Sequence, residues 1–221
     1  MRVQPFLQRK RILVSLLATL TACGSEAASL GTSTPEDTAG ILLPTQGIYG
    51  LVPAAVGGVP SVIMLSPSEG SLGSRATKSS ATIDQFGLTF SPRNLLTHSN
   101  ASVTFTNSES DLTHNVRVRA FGDTVDVINV DTNPGEQIVV QLSTTGGYDV
   151  ICDMHPGMTA FIFTSEAAHS VFAQADGSFV LDEVPEGTYI LQLWTAESGF
   201  QAPLSVEVGT GKTDIDLELV G

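Results

Sequence analysis

The chain has 221 residues, 42% hydrophobic and 15% charged, which suits one large or two small packed domains and excludes wholesale disorder. Its 10 basic residues face 23 acidic ones, a formal charge of −13 that repels nucleic acid and anionic surfaces. With 21 Gly and 11 Pro spread along it, no long window keeps a helical apolar period, so a nearly all-β chain of short strands is predicted.

Residues 1–23 start basic with Arg2, Arg9, Lys10 and Arg11, run apolar from Ile12 to Ala18, and end Leu20-Thr21-Ala22-Cys23. The apolar run is too short to span a bilayer and has the form of a secretory signal. Leu-Thr-Ala-Cys resembles a bacterial lipobox, which implies acylation of Cys23 and an exported protein anchored by lipid to the cell envelope, facing the periplasm. Gly24 follows the Cys, so outer-membrane sorting stays open; a plain signal peptide with an incidental Cys is the alternative. No acid precedes Cys23, so 6 basic residues are left against 23 acidic ones beyond it. That surface favours a partner with a basic patch, or serves solubility alone.

Residues 24–46, rich in Ser, Thr, Gly and Ala, read as a flexible tether. Over 47–66, Ile48–Val52 and Ser61–Leu65 look like two strands around Gly57-Gly58-Val59-Pro60. Residues 67–82 read as a linker. From 83 to 165 six strands are predicted: 83–90, 101–107, 115–121, 137–142, 148–152 and 159–163. Val103 and Phe105, Val116 and Val118, and Ile138 and Val140 each alternate with other residues, the period-2 pattern of a sandwich.

Tyr148, Val150 and Cys152 share one parity of the fifth strand, which ends in Cys152-Asp153-Met154-His155-Pro156-Gly157-Met158. A turn at Pro156-Gly157 would fold His155 and Met158 back beside the sulfur. Thiolate, imidazole and thioether suit copper, and two His, one Cys and a weak axial Met make a blue-copper site. His114, just before a strand, is the candidate second imidazole. Met154 reads as packing, and His98 and His169 as ordinary polar residues. The two cysteines stand in separate contexts and give no disulfide framework.

On His114-Asn115-Val116, Gly135-Glu136, Gly147-Tyr148 and Cys152-x2-His155-x2-Met158, the stretch 83–165 resembles a cupredoxin (type 1 copper) domain of the plastocyanin and amicyanin kind. The resemblance implies a Greek-key β-sandwich holding one mononuclear copper. His114, Cys152 and His155 would be strong ligands and Met158 the axial one, with Asn115 supporting them from behind. Gly157 departs from many relatives, which carry a bulky residue there.

Beyond it, Asp176-Gly177-Ser178-Phe179 and Pro185-Glu186-Gly187-Thr188-Tyr189 resemble the carboxypeptidase regulatory-like (prealbumin-like) β-sandwich. In that family an opening strand pair comes first, and 47–66 resembles it. The second, smaller sandwich is then 47–66 with 171–221, interrupted by the cupredoxin domain, as in methylamine-utilisation-like bacterial lipoproteins. Two consecutive domains are the simpler alternative.

These resemblances imply a one-electron carrier rather than an enzyme, exchanging electrons with a redox partner protein of cytochrome or dehydrogenase type. Copper capture or delivery, and an interaction or scaffold lipoprotein with a non-redox cupredoxin fold, are the competing readings.

Overall fold

The computed structural model describes residues 46–69 and 80–217, which contain strands and no helix. The expected signal region with Cys23 and almost all of the tether lie outside the described residues. β1 (Gly47–Leu51) and β2 (Val62–Pro67) come first. There follow β3 (Ser80–Phe86), β4 (Thr89–Ser91), β5 (Asn94–His98), β6 (Ser102–Asn107), β7 (His114–Ala120) and β8 (Asp126–Thr132). Then come β9 (Gln137–Gln141), β10 (Gly146–Ile151) and β11 (Thr159–Ser165). The rest are β12 (His169–Phe172), β13 (Ser178–Asp182), β14 (Gly187–Thr195), β15 (Gly199–Phe200), β16 (Leu204–Val208) and β17 (Lys212–Asp216).

The strands build two β-sandwiches, the first resembling a cupredoxin. Its sheets run β4-β3-β6-β9 and β5-β11-β10-β7-β8. Alternating residues fill the space between them: Ile83, Val103, Phe105, Val116, Val118, Tyr148, Val150 and Ile162 form one core. The second sandwich pairs β13-β1-β17 with β12-β2-β14-β15, and β16 adds to β14. Ile48, Ile63, Leu65, Phe179, Leu181, Tyr189, Leu191 and Leu193 are among its core residues. β1 lies between β13 and β17, and β2 between β12 and β14, so each early strand is flanked by late ones.

Three strands bury both faces. On β11, Ala160 and Ile162 enter the first core while Phe161 and Phe163 enter a separate cluster with Val62, Met64 and Trp194. On β2 and β14 the same division holds, Ile63 and Leu193 facing one way and Val62 and Trp194 the other. The described residues therefore stack four sheets with three apolar layers, and the middle layer joins the sandwiches. Fully burying one such side chain contributes about 1.5–3 kcal/mol. Trp194 stacks on Phe161 at 5.4 Å between ring centroids, with Phe121 edge-on to it at 5.2 Å. Gly147 on β10 lies under these rings, where a Cβ would come within 2.8 Å of Phe161 and 3.0 Å of Trp194.

Each sandwich also ties a tyrosine to its own chain four residues upstream. Tyr148 donates its hydroxyl to the Thr144 carbonyl (2.8 Å) and Tyr189 to that of Pro185 (2.9 Å). Asp176 accepts from the Ser178 amide and hydroxyl, which makes Asp176-Gly177 a turn.

Several boundaries differ from the sequence reading. The strand expected over 83–90 is two, because Gly87 and Leu88 both take positive φ and reverse the chain. The expected linker 67–82 gives up its last residues, 80–82, to β3, which pairs parallel with β6. β8 was not foreseen: Asp126, Asn129 and Asp131 depress its strand propensity, and it survives as an edge partner of β7.

Candidate metal centre

The site forms where β7 begins, β10 ends and β11 begins. Pairing of Ile151 with Arg117 and of Ile151 with Thr159 sets this register. His114 opens β7, and the preceding loop is fixed by Asn107, fully buried at the end of β6. Its amide donates to the carbonyls of Leu112 (2.9 Å) and Thr132 (2.8 Å), while its oxygen accepts the Glu109 amide (3.0 Å). Gln85 and Thr132, also fully buried, bond to each other at 3.1 Å behind His114. The side chains of Asn107, Gln85 and Thr132 are all fully buried, so the satisfaction of their polar groups specifies one geometry for the loop.

Cys152 follows β10 and keeps its inward parity, buried at 2% exposure. The Cys152 amide donates to the Met158 carbonyl (3.0 Å) and the Met158 amide to the His155 carbonyl (3.1 Å). Gly157, at φ +88°, makes this tight return, a conformation side chains rarely adopt. The loop brings His155 to a half-buried position beside the sulfur.

Three donor atoms converge. His114 Nδ1 lies 3.0 Å from His155 Nδ1, Cys152 Sγ is 3.5 Å from His155 Nδ1, and Sγ is 4.0 Å from His114 Nδ1. Bonds of about 2.0–2.3 Å to a single ion require donors roughly 3 to 4 Å apart, so one thiolate and two imidazoles here fit one metal ion. The donor chemistry, soft sulfur with imidazole, fits copper. Met158 is buried in the first core at 2% exposure, its backbone tied to both Cys152 and His155.

Supporting groups surround the donors. Asn115 donates its backbone amide to Cys152 Sγ (3.3 Å), accepts the Asp153 amide on its side chain (3.4 Å), and donates to Asn129 (2.8 Å) and Asp131 (3.1 Å). Such contacts orient a metal ligand and tune it.

Glu109 carried no signal in the sequence, being a loop acid without motif spacing. Its carboxylate accepts the Gly87 amide (2.7 Å) and lies 3.6 Å from His114 Nε2. That nitrogen is buried without a hydrogen-bond partner, and 3.6 Å is too long for one. With Nδ1 turned to the other donors, the proton of a neutral His114 belongs on Nε2, facing this carboxylate. Burial, and then the neighbouring His155, hold His114 below its ordinary 6.5, against the pull of Glu109. Both influences favour the neutral imidazole, the form that binds a metal.

Met154 does not pack as expected but is 45% exposed, because the loop turns it outward between Cys152 and His155. Leu88 and Leu112, on the two loops that Glu109 and Asn107 hold, are exposed as well. His98 and His169 lie apart from the site, on β5 and β12.

No curated protein matches the chain. Among solved structures, a purple cupredoxin from Nitrosopumilus maritimus is 24% identical, with 38% of this chain and 99% of that one covered and a TM-score of 0.35. A copper-containing nitrite reductase from Thermus scotoductus is also 24% identical, over 39% of this chain but only 22% of that one, with a TM-score of 0.36. Amicyanin from Paracoccus versutus is 14% identical over 47% of this chain and 97% of its own, TM-score 0.35. Residues 149–218 match the model of the ER membrane protein complex subunit 7 beta-sandwich domain. Residues 77–165, which contain all three converging donors, match the model of copper binding proteins of the plastocyanin/azurin family, and the sandwich they build is cupredoxin-like.

Proposed function

We propose that this chain is a copper-binding electron-transfer protein, a one-electron carrier with a mononuclear type 1 site. The observation that carries the reading is the convergence of His114 Nδ1, His155 Nδ1 and Cys152 Sγ at the end of a rigid sandwich. Copper supplies the exchange between Cu(I) and Cu(II). The chain's own part is to hold a thiolate and two neutral imidazoles so that they need not move, with Met158 as the weak fourth donor. The reading assigns the chain no reaction of its own. The visible spectrum of the copper-loaded chain tests it: an intense blue or violet band establishes the thiolate-to-copper bond, and a colourless chain with tightly held Cu(I) favours copper delivery.

The same proposal includes export and lipid anchoring through Cys23, facing the periplasm, supported by the basic start, apolar run and Leu20-Thr21-Ala22-Cys23. A non-acylated mature species by mass spectrometry would remove the anchor. We also assign 47–66 with 171–221 to one discontinuous sandwich, supported by the pairing of β1 and β2 with late strands. The partner is a redox protein with a basic docking patch, supported by 6 basic residues against 23 acidic ones after Cys23.

A further inference from the structure

The metal loop carries a charge that β7 and β8 answer. Asp153 follows Cys152 directly, and its Oδ1 accepts from Arg117 Nη1 at 2.8 Å. Arg117 stands on β7, and Nε of the same guanidinium donates to Asp126 Oδ1 on β8 at 2.9 Å. Arg119 engages that Asp126 oxygen too. A chain of alternating charge thus runs from the β8 edge, across β7, to the loop that presents Cys152 and His155. Asp153 is held at its backbone as well, where its amide meets Asn115 Oδ1.

Isolated surface ion pairs contribute little, but a forked guanidinium seated between two carboxylates fixes both distance and plane. The side chains are 26% exposed at Arg117 and 41% at Asp153, so the fork is partly shielded. The loop needs such a fixture. Met154 faces solvent, Pro156 and Gly157 are exposed and His155 is half-buried, so between Cys152 and Met158 no side chain enters the first core.

We propose that Arg117 is a positioning residue for the metal loop: anchored on Asp126, it clamps Asp153 and so sets the span from Cys152 to His155. It also sets a positive charge against the carboxylate that this chain places next to the thiolate. The electronic half rests on the copper reading above; the mechanical half rests on the geometry alone.

The test uses the full chain as Arg117→Gln, Asp153→Asn, the double variant and Arg117→Lys, each with and without Cu(II). In the metal-free chain, amide exchange over residues 153–158, followed by mass spectrometry, accelerates severalfold in each single variant and no further in the double one. In the copper-loaded chain, Arg117→Gln lowers the reduction potential, since an uncompensated carboxylate favours Cu(II). Asp153→Asn raises it, and the double variant returns close to the unmodified chain. Copper release quickens about tenfold in the single variants, the low end for outer partners of a metal ligand. Arg117→Lys restores the potential without the loop protection, because a point charge does not fork.

Unchanged exchange in both single variants, or increments that add in the double variant, overturns the clamp, even if the potentials move. An unmodified chain that takes up no copper overturns the copper reading instead, and the exchange data still decide the clamp.

Discussion

His114 and His155, 41 residues apart in the chain, face each other through their Nδ1 atoms at 3.0 Å, with rings nearly edge to face at 69°. Two ring nitrogens this close, one ring fully buried, are unfavourable unless a proton or a cation lies between them. Together with Cys152 Sγ, the pair offers three donor atoms to one ion.

The first prediction separates the donors. Cys152→Ser abolishes the intense visible band of the copper-loaded chain. His114→Ala and His155→Ala each open a position to water, weakening retention and shifting the colour. Met158→Leu keeps the colour and raises the reduction potential, because a long axial thioether stabilises Cu(II) more than a hydrocarbon does. Absorption and spectroelectrochemistry on the four variants check this; an unchanged potential in Met158→Leu makes that residue packing only.

The second concerns the middle apolar layer. Trp194→Ala removes the ring that contacts Phe161, Phe163 and Phe121, and costs about 3–5 kcal/mol in a denaturant titration. A fragment of residues 80–165 exposes Phe161 and Phe163 together, so it self-associates in sedimentation, and Phe161→Ser with Phe163→Ser restores a monomer. A monomeric unsubstituted fragment would show that the layer is not needed to cover β11.

The third uses the close approach at Gly147. Alanine there pushes a methyl to 2.8 Å from Phe161 and 3.0 Å from Trp194, beneath rings packed on their other sides too. Overpacking of this kind costs about 1–3 kcal/mol. Trp194 is the single tryptophan of the chain, so its emission reports the disturbance directly.

The strand faces were legible because period-2 alternation follows burial: Val103 and Phe105 are fully buried while Val139, one step out of phase with Val140, is 66% exposed. The donors were legible because three chemical types at fixed short spacing are rare together. What the alternation could not reveal is the destination of β11. Ala160-Phe161-Ile162-Phe163 is a continuous apolar run, the mark of a strand covered on both sides, yet nothing in the run says which sheet covers the second side. Glu109 and Arg117 stayed hidden for another reason: charged residues on loops and outward faces acquire a role only from neighbours distant in sequence.

The fourth prediction is a pH dependence. Asp149 points outward from β10, half-buried; burial raises its pKa above the ordinary 3.8, against the opposing pull of Arg119 and the Gly122 amide. A raised carboxyl favours folding fully below 3.8 and loses that contribution as pH climbs through the raised value, so at neutral pH its charge is a cost. Asp149→Asn therefore raises the melting temperature at pH 7, and the advantage fades on acidification and is gone below pH 3.8. An advantage that persists in acid would point to packing rather than charge.

β10 has a neighbour on each edge, β11 and β7. Tyr148 and Val150 are sealed into the core on one side, and Gly147 is roofed by rings on the other. At Gly147 and Tyr148 the strand is enclosed on every side, and it ends beside the thiol. The lifetime of Cys152 in its place is therefore set by the whole pile of sheets, and loosening the junction near Trp194 will be felt as restlessness at the sulfur.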